Sequence, residues 1–166
     1  MLIGVLSDTH MPRKAAKLPG AVLRAFERAD TIIHAGDISD ISVLRALEAL
    51  APVIAVAGNT DPPELKELLG KQKLITLDGF IVGIVHGDGK GGSTADRAAR
   101  AFEHEHTDII IFGHSHMPFL GIHLGKLLFN PGSPTDKRRN RYYSFGIIEA
   151  GKTLSPRIIY FDGNQK

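Results

Sequence analysis

Asp108-Ile109-Ile110-Ile111-Phe112-Gly113-His114-Ser115-His116 is an apolar run that ends in two imidazoles one residue apart. The apolar part reads as a buried strand. Gly113 lets the backbone leave that strand sharply, and Pro118 prevents an easy continuation into helix. On an extended segment residues i and i+2 share a face; on a turn they diverge toward two different ions. Alone, the tetrapeptide reads equally well as a polar loop with two solvated histidines. Four other stretches of the chain repeat its arrangement.

Leu2 to Leu6 is a short apolar run that ends in Ser7-Asp8-Thr9-His10. Thr31-Ile32-Ile33 ends in His34-Ala35-Gly36-Asp37, and Pro52 to Ala57 ends in Gly58-Asn59-Thr60-Asp61. Phe80 to Val85 ends in His86-Gly87-Asp88. Helical spacing of apolar residues appears between these strands. It covers Ala21 to Arg28, a segment from Ser39 or Asp40 to Leu50, Pro62 to Leu69, and Ser93 to His104. Lys73 to Leu77 and Phe80 to Val85 flank Asp78-Gly79, a hairpin signal. After Pro118 only strands are visible: Phe119 to Leu124, Lys126 to Phe129, Tyr143 to Glu149 and Arg157 to Phe161.

An alternating βα half followed by antiparallel strands predicts an α/β fold of two packed mixed β-sheets, a β-sandwich flanked by helices. The 166 residues fit one domain. No Pro/Ser/Gly linker divides them, so a single domain is expected over 1–162, with 163–166 as a frayed tail. The absence of cysteine excludes disulfides and thiolate metal sites. The formal charge of +2 is too weak to imply a nucleic-acid partner. No run approaches the length of a membrane span. The N-terminal apolar run is short for a signal peptide and lacks a basic lead-in, so a cytoplasmic location is expected.

The five strand ends carry Asp8, His10, Asp37, Asn59, His86, His114 and His116. In α/β sheets ligands bind beyond the carboxyl ends of the strands, where all five ends can converge. Carboxylate, imidazole and one carboxamide oxygen suit divalent manganese, iron, cobalt, nickel or zinc. Seven ligands are too many for one tetrahedral zinc. They suit two ions sharing a carboxylate, about 3.5–4 Å apart, the recurrent solution for phosphoryl hydrolysis.

Asp8-x-His10, Gly36-Asp37-x-x-Asp40, Gly58-Asn59-x-Asp61, His86-Gly87 and Gly113-His114-x-His116 together resemble the ordered motif set of the calcineurin-like metallophosphoesterase superfamily. The small size and Asn130-Pro131-Gly132-Ser133 are similar to its compact YfcE-type phosphodiesterases. The resemblance implies a four-layer metallophosphoesterase-like architecture. It implies two divalent cations, manganese first, with nickel, cobalt, iron or zinc as alternatives. Asp8, His10, Asp37 and His116 would hold one ion. Asp37, Asn59, His86 and His114 would hold the other, with Asp37 bridging. The catalytic set is expected to be Asp37, Asn59, His114, Thr60 and Asp61. The expected reaction is hydrolysis of a small phosphodiester, a nucleotide being one candidate, by a hydroxide held between the ions.

Larger members of the superfamily carry histidine where this chain has Thr60. A threonine hydroxyl can bind phosphate but is a poor acid at neutral pH. Diesterase activity exceeding monoesterase activity is therefore expected. The alternatives are a nuclease of the same superfamily and a non-catalytic scaffold. One relative of this fold works by protein contact after losing ligand residues, whereas all seven positions are intact here. No membrane or nucleic-acid partner is expected. A homodimer or homotetramer is expected, because exposed strands in the second half can pair subunits.

Other polar residues carry competing readings. His34 is expected as a hydrogen-bonded core residue rather than an eighth ligand. Asp40 has the family spacing but equally suits a helix N-cap. His104 and His106 read as surface residues, and His123 as packed or solvated. Lys137, Arg138, Arg139 and Arg141 form either a solvated loop or a substrate-phosphate contact. The loop from Gly87 to Gly92, with Lys90, could present backbone N–H groups to an anion but is not a Walker-type loop.

Overall fold

The strand β1 (Leu2–Leu6) has different neighbours on its two faces. Ile3 and Val5 point into one apolar layer and Leu6 into another, as the period of two in a strand requires. In the computed structural model, which describes residues 1–163, β1 is the centre of a five-stranded sheet. It pairs in parallel with β2 (Thr31–Ala35), which pairs in parallel with β3 (Val53–Val56). On its other side it pairs antiparallel with β9 (Tyr143–Ala150), which carries the edge strand β10 (Leu154–Phe161).

The second sheet holds β4 (Gln72–Leu77), β5 (Phe80–Val85), β6 (Ile109–Ile111), β7 (Phe119–His123) and β8 (Lys126–Asn130). Its order is β4-β5-β6-β8-β7. β5, β6 and β8 run parallel, and β4 and β7 close the two edges antiparallel. Asp78 and Gly79 both have positive φ at the β4–β5 turn, as their residue types foretell.

The faces of the two sheets meet through Ile3, Val5, Ile33 and Val56 on one side and Val82, Ile84, Ile109, Ile111 and Phe129 on the other. The outer face of the first sheet is covered by α1 (Gly20–Phe26), α2 (Ile41–Glu48) and α3 (Pro63–Leu69). Val22, Phe26, Val43, Leu44, Leu47 and Leu65 make that contact. On the second sheet, α4 (Thr94–Arg100) places Ala98 and Ala99 with Phe102 against Ile110, Phe112 and Leu128. The result is the four-layer arrangement of helices, sheet, sheet and helix. It matches the fold expected from the alternating first half and the strand-only second half.

Some boundaries differ from the sequence reading. α4 ends at Arg100 rather than His104. Beyond Phe102 no apolar residue anchors the chain, and Phe102, Glu103 and Glu105 form tight turns three residues back. β10 begins before Pro156, which an edge strand tolerates. Of the expected frayed tail, Asn164 to Lys166 lie outside the described residues. No helix among the described residues is long and apolar enough to cross a membrane.

Candidate metal centre

Six parallel strands, β1, β2, β3, β5, β6 and β8, deliver the chain to one end of the sandwich. Backbone bonds tie the strand ends together. Asp8 N–H donates to Gly36 O at 2.9 Å, His10 N–H to Asp37 O at 3.0 Å, and Gly113 N–H to His86 O at 3.1 Å. The two sheets are stitched to each other by His114 N–H on Asp8 Oδ2 at 3.0 Å and by His86 Nδ1 on Ala35 O at 2.7 Å.

The close approach depends on glycine. A Cβ on Gly58 would overlap the Asp37 carboxylate and backbone N, and one on Gly113 would meet Ser7 Oγ at 2.6 Å and Asp8 Oδ2 at 2.8 Å. The polar residues themselves adopt the left-handed backbone that glycine favours. Asp8 has φ 56°, His10 44°, Asp37 57°, His114 65° and His116 59°. Such strain persists only where the surroundings over-determine it, and it clusters at functional sites.

Two groups of donors result. One ligand atom from each of Asp8, His10 and His116 lies within 4.8 Å of the others, and the same holds for Asp37, His86 and His114. Asn59 Oδ1 lies 3.0 Å from His114 Nδ1. Asp37 Oδ2 lies 3.3 Å from His86 Nε2 and 3.6 Å from His10 Nε2, and so faces both groups.

The donor set fits divalent cations on observations of its own. Asp8 Oδ1 and His86 Nε2 are buried and have no hydrogen-bond partner. Buried polar atoms in that state are costly, and these two lie within the two donor groups. His10 Nε2 and His116 Nε2 point at each other across 3.2 Å. The outward nitrogens are already engaged. His86 Nδ1 donates to Ala35 O and His116 Nδ1 to Asp136 O, both at 2.7 Å, which turns each Nε2 toward the donor groups. Burial lowers His10 and His114 and pushes His116 down to about 4, which favours the neutral rings; burial opposes charge on His86 too, but the Asp37 and Asp8 carboxylates push it up to about 9. Neutral imidazole is the form that binds metal. Burial pushes the Asp8 carboxyl up to about 7. Burial opposes charge on Asp37 as well, but His86 and the Thr60 N–H together hold its carboxyl well below the usual carboxylate range.

A cleft of about 310 Å³ opens over the two groups, with Thr60, Arg13, Lys14, Asp136 and Arg138 among its walls. The Thr60 hydroxyl is 3.4 Å from His10 Nδ1, and its N–H donates to Asp37 Oδ1 at 2.9 Å. Asp61 is not in that cleft. Its carboxylate is buried and accepts three backbone N–H groups, from Asp37 at 3.1 Å, Ser39 at 2.6 Å and Gly58 at 2.8 Å.

The remaining candidates fall elsewhere. His34 is buried under the first sheet with Nε2 3.1 Å from Thr9 Oγ1. Asp40 caps α2 by accepting Ser42 N–H. His104 and His106 are exposed. His123 pairs with Asp96 at 2.7 Å and ties β7 to α4. Of the basic cluster, Arg138 reaches the cleft, whereas Lys137 donates to the Asn140 and Arg141 carbonyls. The Gly87–Gly92 loop is held by Arg97, whose guanidinium donates to Gly87 O and Gly92 O, both at 2.8 Å.

Two residues of the cleft wall carried no clear signal in the sequence. Arg13 and Lys14 follow His10 after Met11 and Pro12, and only that proximity to a ligand loop points to them. Asn130, Ser133 and Thr135 form the back wall. Asn130 Nδ2 donates to Gly113 O at 2.9 Å, Ser133 Oγ to Asp8 O at 2.8 Å and Thr135 Oγ1 to Thr9 O at 2.6 Å.

Comparison with known proteins agrees with this geometry. The family model of the calcineurin-like phosphoesterase superfamily domain matches residues 1–153. A probable metallophosphoesterase of Methanothermobacter thermautotrophicus is 39% identical over 159 residues, which cover 96% of this chain and 92% of that protein. A phosphodiesterase of Methanocaldococcus jannaschii is 31% identical over 148 residues, 80% of this chain and 83% of that protein. Among solved structures, Vps29 of Chaetomium thermophilum superposes with a TM-score of 0.80 at 17% identity, covering 97% of each chain. That last likeness is one of fold. The match to the family model includes every strand end that carries a candidate donor, and the chain belongs to the calcineurin-like phosphoesterase superfamily.

Proposed function

We propose that the protein is a phosphodiesterase that hydrolyses a small phosphodiester with the help of two divalent cations, manganese first among them. The observation that carries this reading is the pair of donor groups meeting at Asp37, each with a buried unpartnered atom, beneath one open cleft. Asp8, His10, Asp37 and His116 would hold one ion, and Asp37, Asn59, His86 and His114 the other. When bound, the ions supply Lewis-acid charge that neutralises phosphate oxygens and makes water acidic enough to attack at neutral pH.

The chain's own residues do the rest. Asp61 positions the Asp37 loop through its three backbone contacts rather than touching substrate. Thr60 N–H orients Asp37, and its hydroxyl can donate to a phosphate oxygen. Arg13 and Arg138 on the cleft wall favour entry of an anion. No residue of the described cleft wall offers an acid for a poor leaving group in the position that Thr60 occupies. Matched chromogenic substrates are therefore expected to show diester cleavage exceeding monoester cleavage. The test uses protein stripped with chelator and then supplied with Mn²⁺. Diester turnover that requires the metal and is lost in Asp37→Ala supports the reading; a clear preference for the monoester contradicts the account of Thr60.

One observation favours a second reading. Met117, Leu120, Ile122 and Leu124 expose apolar side chains on and beside the edge strand β7, a feature of protein-contact surfaces and of subunit interfaces. Folded protein inactive with Mn²⁺, Ni²⁺, Co²⁺ and Zn²⁺ would make protein contact the function to pursue.

A further inference from the structure

A second cavity lies beside the metal cleft and is unlike it in chemistry. Its volume is about 650 Å³, within the range of about 300–1,000 Å³ typical of sites for organic ligands. Ala15, Leu18, Leu23, Pro134, Tyr143 and Phe161 supply an apolar wall. The Tyr143 and Phe161 rings form a stacked pair there, with centroids 5.7 Å apart and planes 29° from parallel.

The partition between cavity and cleft is one ion pair thick. Lys14 lines both spaces. Its ammonium lies 3.1 Å from Asp136 Oδ2, and that oxygen is 3.8 Å from His116 Nδ1 in the donor group. The chain itself crosses the boundary, since Thr135 faces the cavity and Asp136 the cleft. A group esterified to a phosphate over the donors therefore has an apolar space on the far side of Lys14. The ammonium at the threshold complements the phosphate oxygens, and the ring pair complements an aromatic face.

We propose that this cavity receives one ester arm of the substrate, and that the arm is aromatic, of aryl or nucleobase character. The proposal deepens the phosphodiesterase reading and rests on it for the identity of the bound phosphate. Hydrolysis itself is unchanged: water oxygen bonds to phosphorus, one P–O ester bond breaks, and the alcohol leaves with a proton. The cavity selects which esters are held.

The probes are benzylphosphonate and methylphosphonate, whose C–P bonds resist hydrolysis. Each is titrated calorimetrically into Mn²⁺-supplied protein and into Ala15→Trp, which fills the cavity from a loop outside the donor set. Leu23→Trp, from the opposite wall, is the second variant, and thermal melting checks that both fold. The expected result is benzylphosphonate binding about tenfold or more tighter in the wild type. In a folded variant that ratio falls to near one, with methylphosphonate affinity kept within about twofold. Transfer of magnetisation from the Tyr143 ring to the benzyl protons in the Zn²⁺-supplied wild type supports the assignment without any variant. Equal binding of the two probes by the wild type overturns the proposal, as does an unchanged ratio in both filled variants. Diester turnover is measured on the same preparation. Turnover without a benzyl advantage keeps the phosphodiesterase and removes the aromatic arm; a benzyl advantage without turnover does the reverse.

Discussion

Asp8, His10, Asp37, His114 and His116 all occupy left-handed backbone, and nothing in their residue types announces it. Aspartate and histidine reach that region more readily than most residues, yet each still adds a local cost there. The six residues that the structure gathers into two candidate donor groups were legible because they are metal-capable types released at strand ends. Their conformation was not, because it is imposed by the neighbouring loops. Asp61 shows the same limit. The family resemblance implies a catalytic carboxylate there, and the structure engages it with Asp37, Ser39 and Gly58 N–H groups. Asp61→Asn keeps the shape but replaces an ionic acceptor by a neutral amide that must also place two donors. It is expected to weaken Mn²⁺ binding by about ten- to a hundredfold, measured by calorimetry on stripped protein, with the fold retained by circular dichroism.

His34 gives a prediction in pH. Burial pushes its imidazole down to about 3. The unfolded chain takes up that proton near the ordinary value of about 6.5. The unfolded state thus binds more protons than the native one between these values, and stability falls as pH drops through the window. His34→Gln removes this contribution. Between pH 7 and pH 4.5 the variant should lose about 2–3 kcal/mol less stability than the wild type, read from urea unfolding at both pH values. Equal losses would mean that His34 takes up its proton over the same pH window in the native protein as in the unfolded chain.

At the scale of the element, the strands were legible wherever an apolar run was bounded by turn residues, as at Leu2–Leu6, Phe80–Val85 and Tyr143–Ala150. Helix ends were less so. The reading of α4 through His104 followed the polar and apolar spacing but lacked the tertiary partner that stops at Phe102. What holds α4 in place is a capping box in which Ser93 and Asp96 satisfy each other's backbone N–H groups. Asp96 also pairs with His123 across to β7, a contact between segments far apart in sequence that no local pattern foretold. Ser93→Ala is expected to cost about 1 kcal/mol of stability and to leave diester turnover unchanged, since Ser93 is exposed and outside the cleft. Denaturant midpoints and rates measured on the same sample check both halves.

For the whole molecule, the informative division is between its two ends. The sandwich core between the sheets and the helices on either face are built from ordinary apolar packing. The end where the parallel strands finish gathers buried polar residues, including Ser7, Asp8, Thr9, His10, Asp37, Asp61, His86 and His116. A chain of modest net charge, +2, thereby concentrates its buried ionisable groups at one place. That concentration could be anticipated from the order of the motifs, because parallel strands must all end at one side. The path of the loops over that end could not. Hence Arg13, Lys14 and the apolar cavity beside them emerged only with the structure.

The claim on which the account rests is that two ions share Asp37. It is tested most directly by counting bound metal. Stripped protein is titrated with Mn²⁺, and the bound ion is measured per chain by calorimetry and elemental analysis. Two ions per chain are expected in the wild type and about one in His86→Ala, which removes a donor from one group only. A single ion in the wild type, or none, would contradict it.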